Sequence, residues 1–175
     1  MKKHIQIAMG ILLLFASSTL SAQNNSNVVK TLTQSLRSHK SMEVSFTYQT
    51  GAEEPKEGKA YFQDNAYKVI LEDQQTISDG TTQWHYLVED QEVMVGNATE
   101  DDSPFKILDE IERDSSGLTP ILGQKGNLKG LEIEMEDGNK LVVVITEMEF
   151  DKDYKEGFFT FDEKANPGVD VIDMR

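Results

Sequence analysis

Few residues of this chain have the types and spacings that catalysis needs. Of three histidines, His4 follows two lysines at the very N-terminal end, and His39 and His85 stand apart, with no second histidine at ligand spacing. There is no cysteine, so neither a thiolate nucleophile nor a cysteine-based zinc site is available. The sequence contains no HExxH, no GxSxG, no P-loop and no GxGxxG. Carboxylates abound, but Glu53-Glu54 and Glu100-Asp101-Asp102 sit in polar stretches that read as solvated loops. Asp151-Lys152-Asp153 lacks the turning glycine of a calcium loop. A glycosidase needs two carboxyls at a set distance, and nothing singles out one pair among 31 acidic residues. The residues therefore point to no cofactor, no metal and no enzyme, with a hydrolase hidden among the carboxylates as a minor reading.

What remains is apolar surface. Phe46 alternates with polar neighbours, Val69 recurs at period two with Tyr67 and Leu71, Tyr86 does so with Trp84, and Phe105 begins an apolar stripe of helical spacing. Such side chains either fill a core or line a barrel interior that stays partly empty for an acyl chain.

The elements that carry them follow from periodicity. Ser26 can cap a helix over Asn27 to about His39, with Val28, Val29, Leu32 and Leu36 on one face. From Ser41 to Thr50 the period changes to two, with Met42, Val44, Phe46 and Tyr48 on one side of a half-buried strand. A polar turn over Gly51 to Gly58 leads to short strands at Lys59–Gln63, Tyr67–Leu71, Gln75–Ser78, Gln83–Val88 and Glu92–Val95. Asp79-Gly80 signals a two-residue hairpin between two of them. Ser103 caps a second helix, which Pro104 opens and Phe105, Leu108 and Ile111 stripe. Gly117 to Gly123, cut by Pro120, reads as a loop or single turn.

Strands resume where Leu131, Ile133 and Met135 alternate with glutamates. They continue at Leu141–Ile145, which is apolar on both faces, then at Met148–Phe150 and Phe158–Phe161, and end near Val169–Ile172. The expected fold is α+β and mostly antiparallel β. The meander suggests a strongly curved antiparallel sheet or open barrel, whose mouth the two helices can cover.

Lys2 and Lys3, the apolar run Ile5 to Phe15 and the small residues up to Ala22 have the layout of a secretory signal peptide. Residues 1–22 are thus expected to be cleaved, leaving 23–175 as one exported domain, soluble in the periplasm. The net charge of −14 disfavours nucleic acid and anionic membranes as partners and favours a basic partner surface.

The segment from Ile77 to Leu108 resembles the outer-membrane lipoprotein carrier (LolA-type) family. The resemblance rests on Ser78-Asp79-Gly80, then Trp84 and Tyr86, then Gln91-Glu92-Val93, then Pro104-Phe105. Phe159-Thr160-Phe161 followed by Asn166-Pro167-Gly168-Val169-Asp170-Val171 is similar to the family's closing strand. The first helix running into Ser45-Phe46-Thr47 also fits.

The resemblance implies a monomeric periplasmic carrier, built as an incomplete, half-open β-barrel with a helical lid over an apolar cavity. It would take lipidated proteins from an inner-membrane ABC transporter, shield their acyl chains and release them to an outer-membrane acceptor. Position by position, it implies lipid-binding roles for Leu36, Tyr67, Trp84 and Leu108 in cavity and lid. One departure concerns the lid latch: Gln63 stands where the family typically has an arginine. The alternative function is a periplasmic sensing or regulatory domain on the same fold, binding lipid or protein as a signal.

Overall fold

The computed structural model describes residues 37–99, 106, 118–124, 128–135 and 137–175. The first six strands are β1 Ser41–Thr50, β2 Lys56–Gln63, β3 Ala66–Ile70, β4 Gln74–Ser78, β5 Thr82–Leu87 and β6 Glu92–Asn97. Four more follow: β7 Leu118–Leu122, β8 Leu128–Glu134, β9 Lys140–Phe150 and β10 Asp170–Asp173. All join one open sheet in the order β10-β6-β5-β4-β3-β2-β1-β9-β8-β7. Strands β1 to β6 form a meander, each antiparallel to the next. Strand β9 flanks the other side of β1, with β8 and β7 beyond it, again antiparallel. Strand β10 returns to the far edge and lies parallel to β6.

This corrects the expected α+β half-open barrel with a helical lid. The sheet is open and mixed, and no helical lid is seen among the described residues. Of the first expected helix, 37–39 belong to a turn and bend leading into β1, and the rest lies outside the described residues. Of the second, only Lys106, helical, is described. The expected signal peptide also lies outside.

Local chemistry explains the other departures. Gly117–Gly123 is not a loop, because Leu118–Leu122 forms β7. Pro120 cannot donate to a ladder, yet an edge strand leaves one side unpaired and tolerates it. Leu141–Ile145 and Met148–Phe150 are one strand, with an irregularity opposite Ser45/Phe46 that absorbs the intervening residue. Phe158–Phe161 is a turn and not a strand: Phe158 N donates to Lys155 O, and Thr160 N to Gly157 O.

The Asp79-Gly80 hairpin has three linking residues. The Asp79 carboxylate accepts from the amides of Thr81 and Thr82 at 2.8 and 2.7 Å, and Gly80 takes φ +88°. Gly58 answers to packing. A Cβ there would lie 2.3 Å from Cζ of Phe46, whose ring occupies the space.

Register sorts the side chains onto two faces, since directly paired residues point the same way. The core face carries Met42, Val44 and Phe46 of β1, Ala60 and Phe62 of β2, Tyr67 and Val69 of β3, and Leu131, Ile133, Leu141 and Val143 of β8 and β9. All are buried in one cluster. The opposite face carries the row Glu43–Tyr61–Lys68–Ile77–Trp84–Val95, with Tyr86 and Val93 beside it. The chain from Asp151 to Val169, here called the strap, packs against that face. Tyr154 and Phe158 pack on Tyr61 at 6.0 and 5.1 Å between ring centroids, and Phe161 packs on Tyr86 at 5.2 Å.

Candidate functional site

The core face changes character along the sheet. From β7 through β8, β9, β1 and β2 to β3, six adjacent strands contribute aliphatic and aromatic side chains to one buried cluster. Val44, Phe46, Ala60, Tyr67 and Val69 are each no more than 2 % exposed. Hiding each large apolar side chain contributes about 1.5–3 kcal/mol, so the face is a main source of stability as well as a candidate binding surface.

At β4 the same face turns polar. The row Val44–Ala60–Val69 continues as Thr76–His85–Met94, and the row Met42–Phe62–Tyr67 continues as Ser78–Gln83–Gly96. These polar groups are engaged. Thr76 Oγ1 and His85 Nδ1 lie 3.2 Å apart. The Gly80 amide donates to Ser78 Oγ at 3.1 Å, and the Gln83 side-chain amide donates to the Tyr67 hydroxyl. Tyr67 therefore belongs to both halves, its ring in the apolar cluster and its hydroxyl on the polar ribbon. At the rim, burial raises the Tyr48 phenol, and Lys56 pairs with Glu72 at 3.1 Å.

The eight residues expected to form one lining are divided by this geometry. Phe46, Tyr67 and Val69 come together on the core face. Trp84 and Tyr86 lie on the strap face, because Trp84 pairs with Ile77, which pairs with Lys68, the neighbour of Val69 on β3. Leu36, Phe105 and Leu108 lie outside the described residues. Sequence reasoning also left Phe62, Val143 and the polar ribbon out of the site. The alternation within each strand was the available signal, but pairing alone tells which phase of each strand shares a face.

A hollow of about 410 Å³ lies where the strap passes the β2–β3 turn. Gln63, Asp64, Asp79 and Glu156 line it together with Tyr154, Phe158 and Phe159. Those three rings pack on one another, with centroids 4.6 to 5.2 Å apart. Burial, and next the Glu43 carboxylate, push the Tyr154 phenol up to about 12. Burial also raises the Tyr61 phenol and lowers the Lys68 ammonium. Among the described residues, no three histidine, aspartate or glutamate side chains converge as a metal site. No described helix is long and apolar enough to cross a membrane.

No family model and no curated protein sequence matches this chain. A solved structure described as the crystal structure of an uncharacterized conserved protein from Thermus thermophilus is similar to it. The TM-score is 0.53, over 86 % of this chain and 99 % of that one, at 9 % identity. At that identity the likeness is one of fold.

Proposed function

We propose that this protein is a periplasmic carrier that binds the acyl chains of lipidated proteins and ferries them from an inner-membrane ABC transporter to an outer-membrane acceptor. The observation that carries this reading is the uninterrupted apolar core face, bordered on one side by a hydrogen-bonded polar ribbon. An acyl chain in water costs about 0.8 kcal/mol per CH₂, and a face without charge along its centre removes that cost without head-group chemistry. The ribbon at β4 and β5 offers hydroxyl and amide groups to the polar glycerol or peptide beside the chain. Val44 and Phe46 are at most 1 % exposed, so a chain reaches them only when the face opens. Loading is then coupled to a conformational step, which suits a carrier that must also release. The family resemblance of Ile77–Leu108 supports the same reading.

The test replaces Phe62 with a photoreactive benzophenone amino acid and offers a triacylated lipopeptide or its unacylated twin. Acyl-dependent cross-linking at position 62, absent when the label sits at the exposed Glu147, is the expected result. Equal cross-linking at both positions, or none that depends on acylation, would overturn the proposal. Capture from native periplasm separates carrier from sensor: acylated proteins favour the carrier, and free lipid or one regulatory partner favours the sensing domain.

A further inference from the structure

Strand β10 has properties that neither the core nor the strap requires. It forms one edge of the sheet among the described residues, and every residue from Asp170 to Asp173 is exposed. Val171 and Ile172 stand 40 % and 39 % exposed, and Met174 just beyond is 58 % exposed. The other edge, β7, carries Pro120 and a register irregularity, two devices that discourage pairing. Strand β10 has neither.

Its outward hydrogen-bonding groups follow from the ladder. Asp170 N donates to Gln91 O and Met174 N to Val95 O, so the even-numbered amides turn toward β6. The amides of Val171 and Asp173 turn away from the sheet. Such an edge is a template for one more strand.

Charge selects which strand. In either antiparallel register in which two copies of β10 overlap along its whole length, each aspartate faces an apolar side chain: Ile172 and Val169, or Met174 and Val171. Neither gains a cation, so a second copy fits poorly. A strand with the order basic, apolar, apolar, basic places a cation at Asp170 and at Asp173 and an apolar side chain at Val171 and Ile172. The order is the same read from either end. Arg175 already shows the interaction, binding Asp173 through Nε at 2.9 Å and Nη2 at 2.7 Å.

We propose that β10 is a docking edge for an extended segment of a partner protein carrying that basic–apolar–apolar–basic order, which adds a strand beside β10. This goes beyond the carrier reading and does not depend on it.

The test uses the full protein and two fluorescent peptides of one composition, with Lys-Val-Val-Lys or Val-Lys-Lys-Val between flanking threonines. Fluorescence anisotropy is expected to show the first peptide binding at least about fivefold more tightly, as two added cross-strand pairs would give. Hydrogen exchange at the Val171 and Asp173 amides should slow on binding. Asp170→Lys should abolish the preference. Val171→Pro, which removes only an outward amide, should weaken binding with the circular dichroism unchanged. Equal affinity for both peptides, or binding that both variants leave intact, would mean general attraction to an acidic protein and would overturn the proposal, as would no binding at all.

Discussion

The ammonium of Lys68 lies 5.4 Å from the centroid of the Phe158 ring and so joins β3 to the strap. Lys68 is half-buried in a row flanked by Tyr61 and Ile77, where burial lowers its pKa. The ring face replaces part of the hydration that the cation has lost. Phe158 meanwhile touches Tyr61, Tyr154 and Phe159, which makes it the centre of the strap's attachment.

Phe158→Ala should therefore loosen the strap and cost about 2 kcal/mol in urea unfolding, below the 3–5 kcal/mol typical of fully buried aromatics because Phe158 is only half-buried. Limited proteolysis should cut first between Asp151 and Val169. Unchanged stability and an uncut strap would refute the assignment.

Gly58→Ala should be costly although it adds one methyl. The new Cβ would meet Phe46 Cζ at 2.3 Å, and overpacking of this kind costs about 1–3 kcal/mol. Phe46→Leu should cost stability alone but recover part of the loss in the double variant, a coupling that a double-mutant cycle measures.

Tyr154 should ionise near 12, against an ordinary 10.0. Between those values the unfolded chain has released the proton and the folded chain still holds it. Stability should therefore be intact below about pH 10 and fall as the pH rises toward 12. Ultraviolet difference titration of the parent and of Tyr154→Phe would isolate this group. A midpoint near 10 would contradict its burial between the strap and the sheet.

Asp173 should titrate at about 2, since Arg175 bonds its carboxylate through both side chain and backbone. The contribution is present above the ordinary 3.8 and is lost as the pH falls through about 2. Carbon-detected NMR of the carboxylate should show this midpoint, and Arg175→Ala should bring it back toward 3.8.

How much of this was legible beforehand depended on whether the deciding interaction was local. The ten residues of β1 could be read with both bounds, because Met42, Val44, Phe46 and Tyr48 alternate without interruption. Phe158–Phe161 misled because its composition suits a strand. The strap's aromatics are apolar because they cover another face, and a surface-covering turn has no period of its own. Pro120 misled in the opposite sense, since its tolerance depends on β7 having one open side.

The candidate site was legible in part. Phe46, Tyr67 and Val69 are recognisable as apolar positions, but the sequence offers Trp84 and Tyr86 for the same surface and they lie on the other. Phase is clear within a strand and is lost at each turn. Two residues before or after Asp79-Gly80 can share a face or oppose one another according to the number of linking residues, which is three here. Of the helical segments expected to cover the cavity, all but 37–39 and Lys106 fall outside the described residues, and the expected half-open barrel gives way to an open sheet.

The pairing of β1 with β9 has a consequence for how the molecule is made. Met42 pairs with Phe150 and Thr50 with Leu141, so the central seam joins the first described strand to the last but one. The meander from β1 to β6 can form by local closure, but its inner edge at β1 stays open until Lys140–Phe150 has emerged. Contacts this distant along a chain are slow to form, on the order of milliseconds to seconds in sheet proteins. During that interval Val44 and Phe46 lack their partners, and the growing chain is at its most aggregation-prone. Synthesis halted before β9 would thus yield a sticky fragment and not a smaller working sheet.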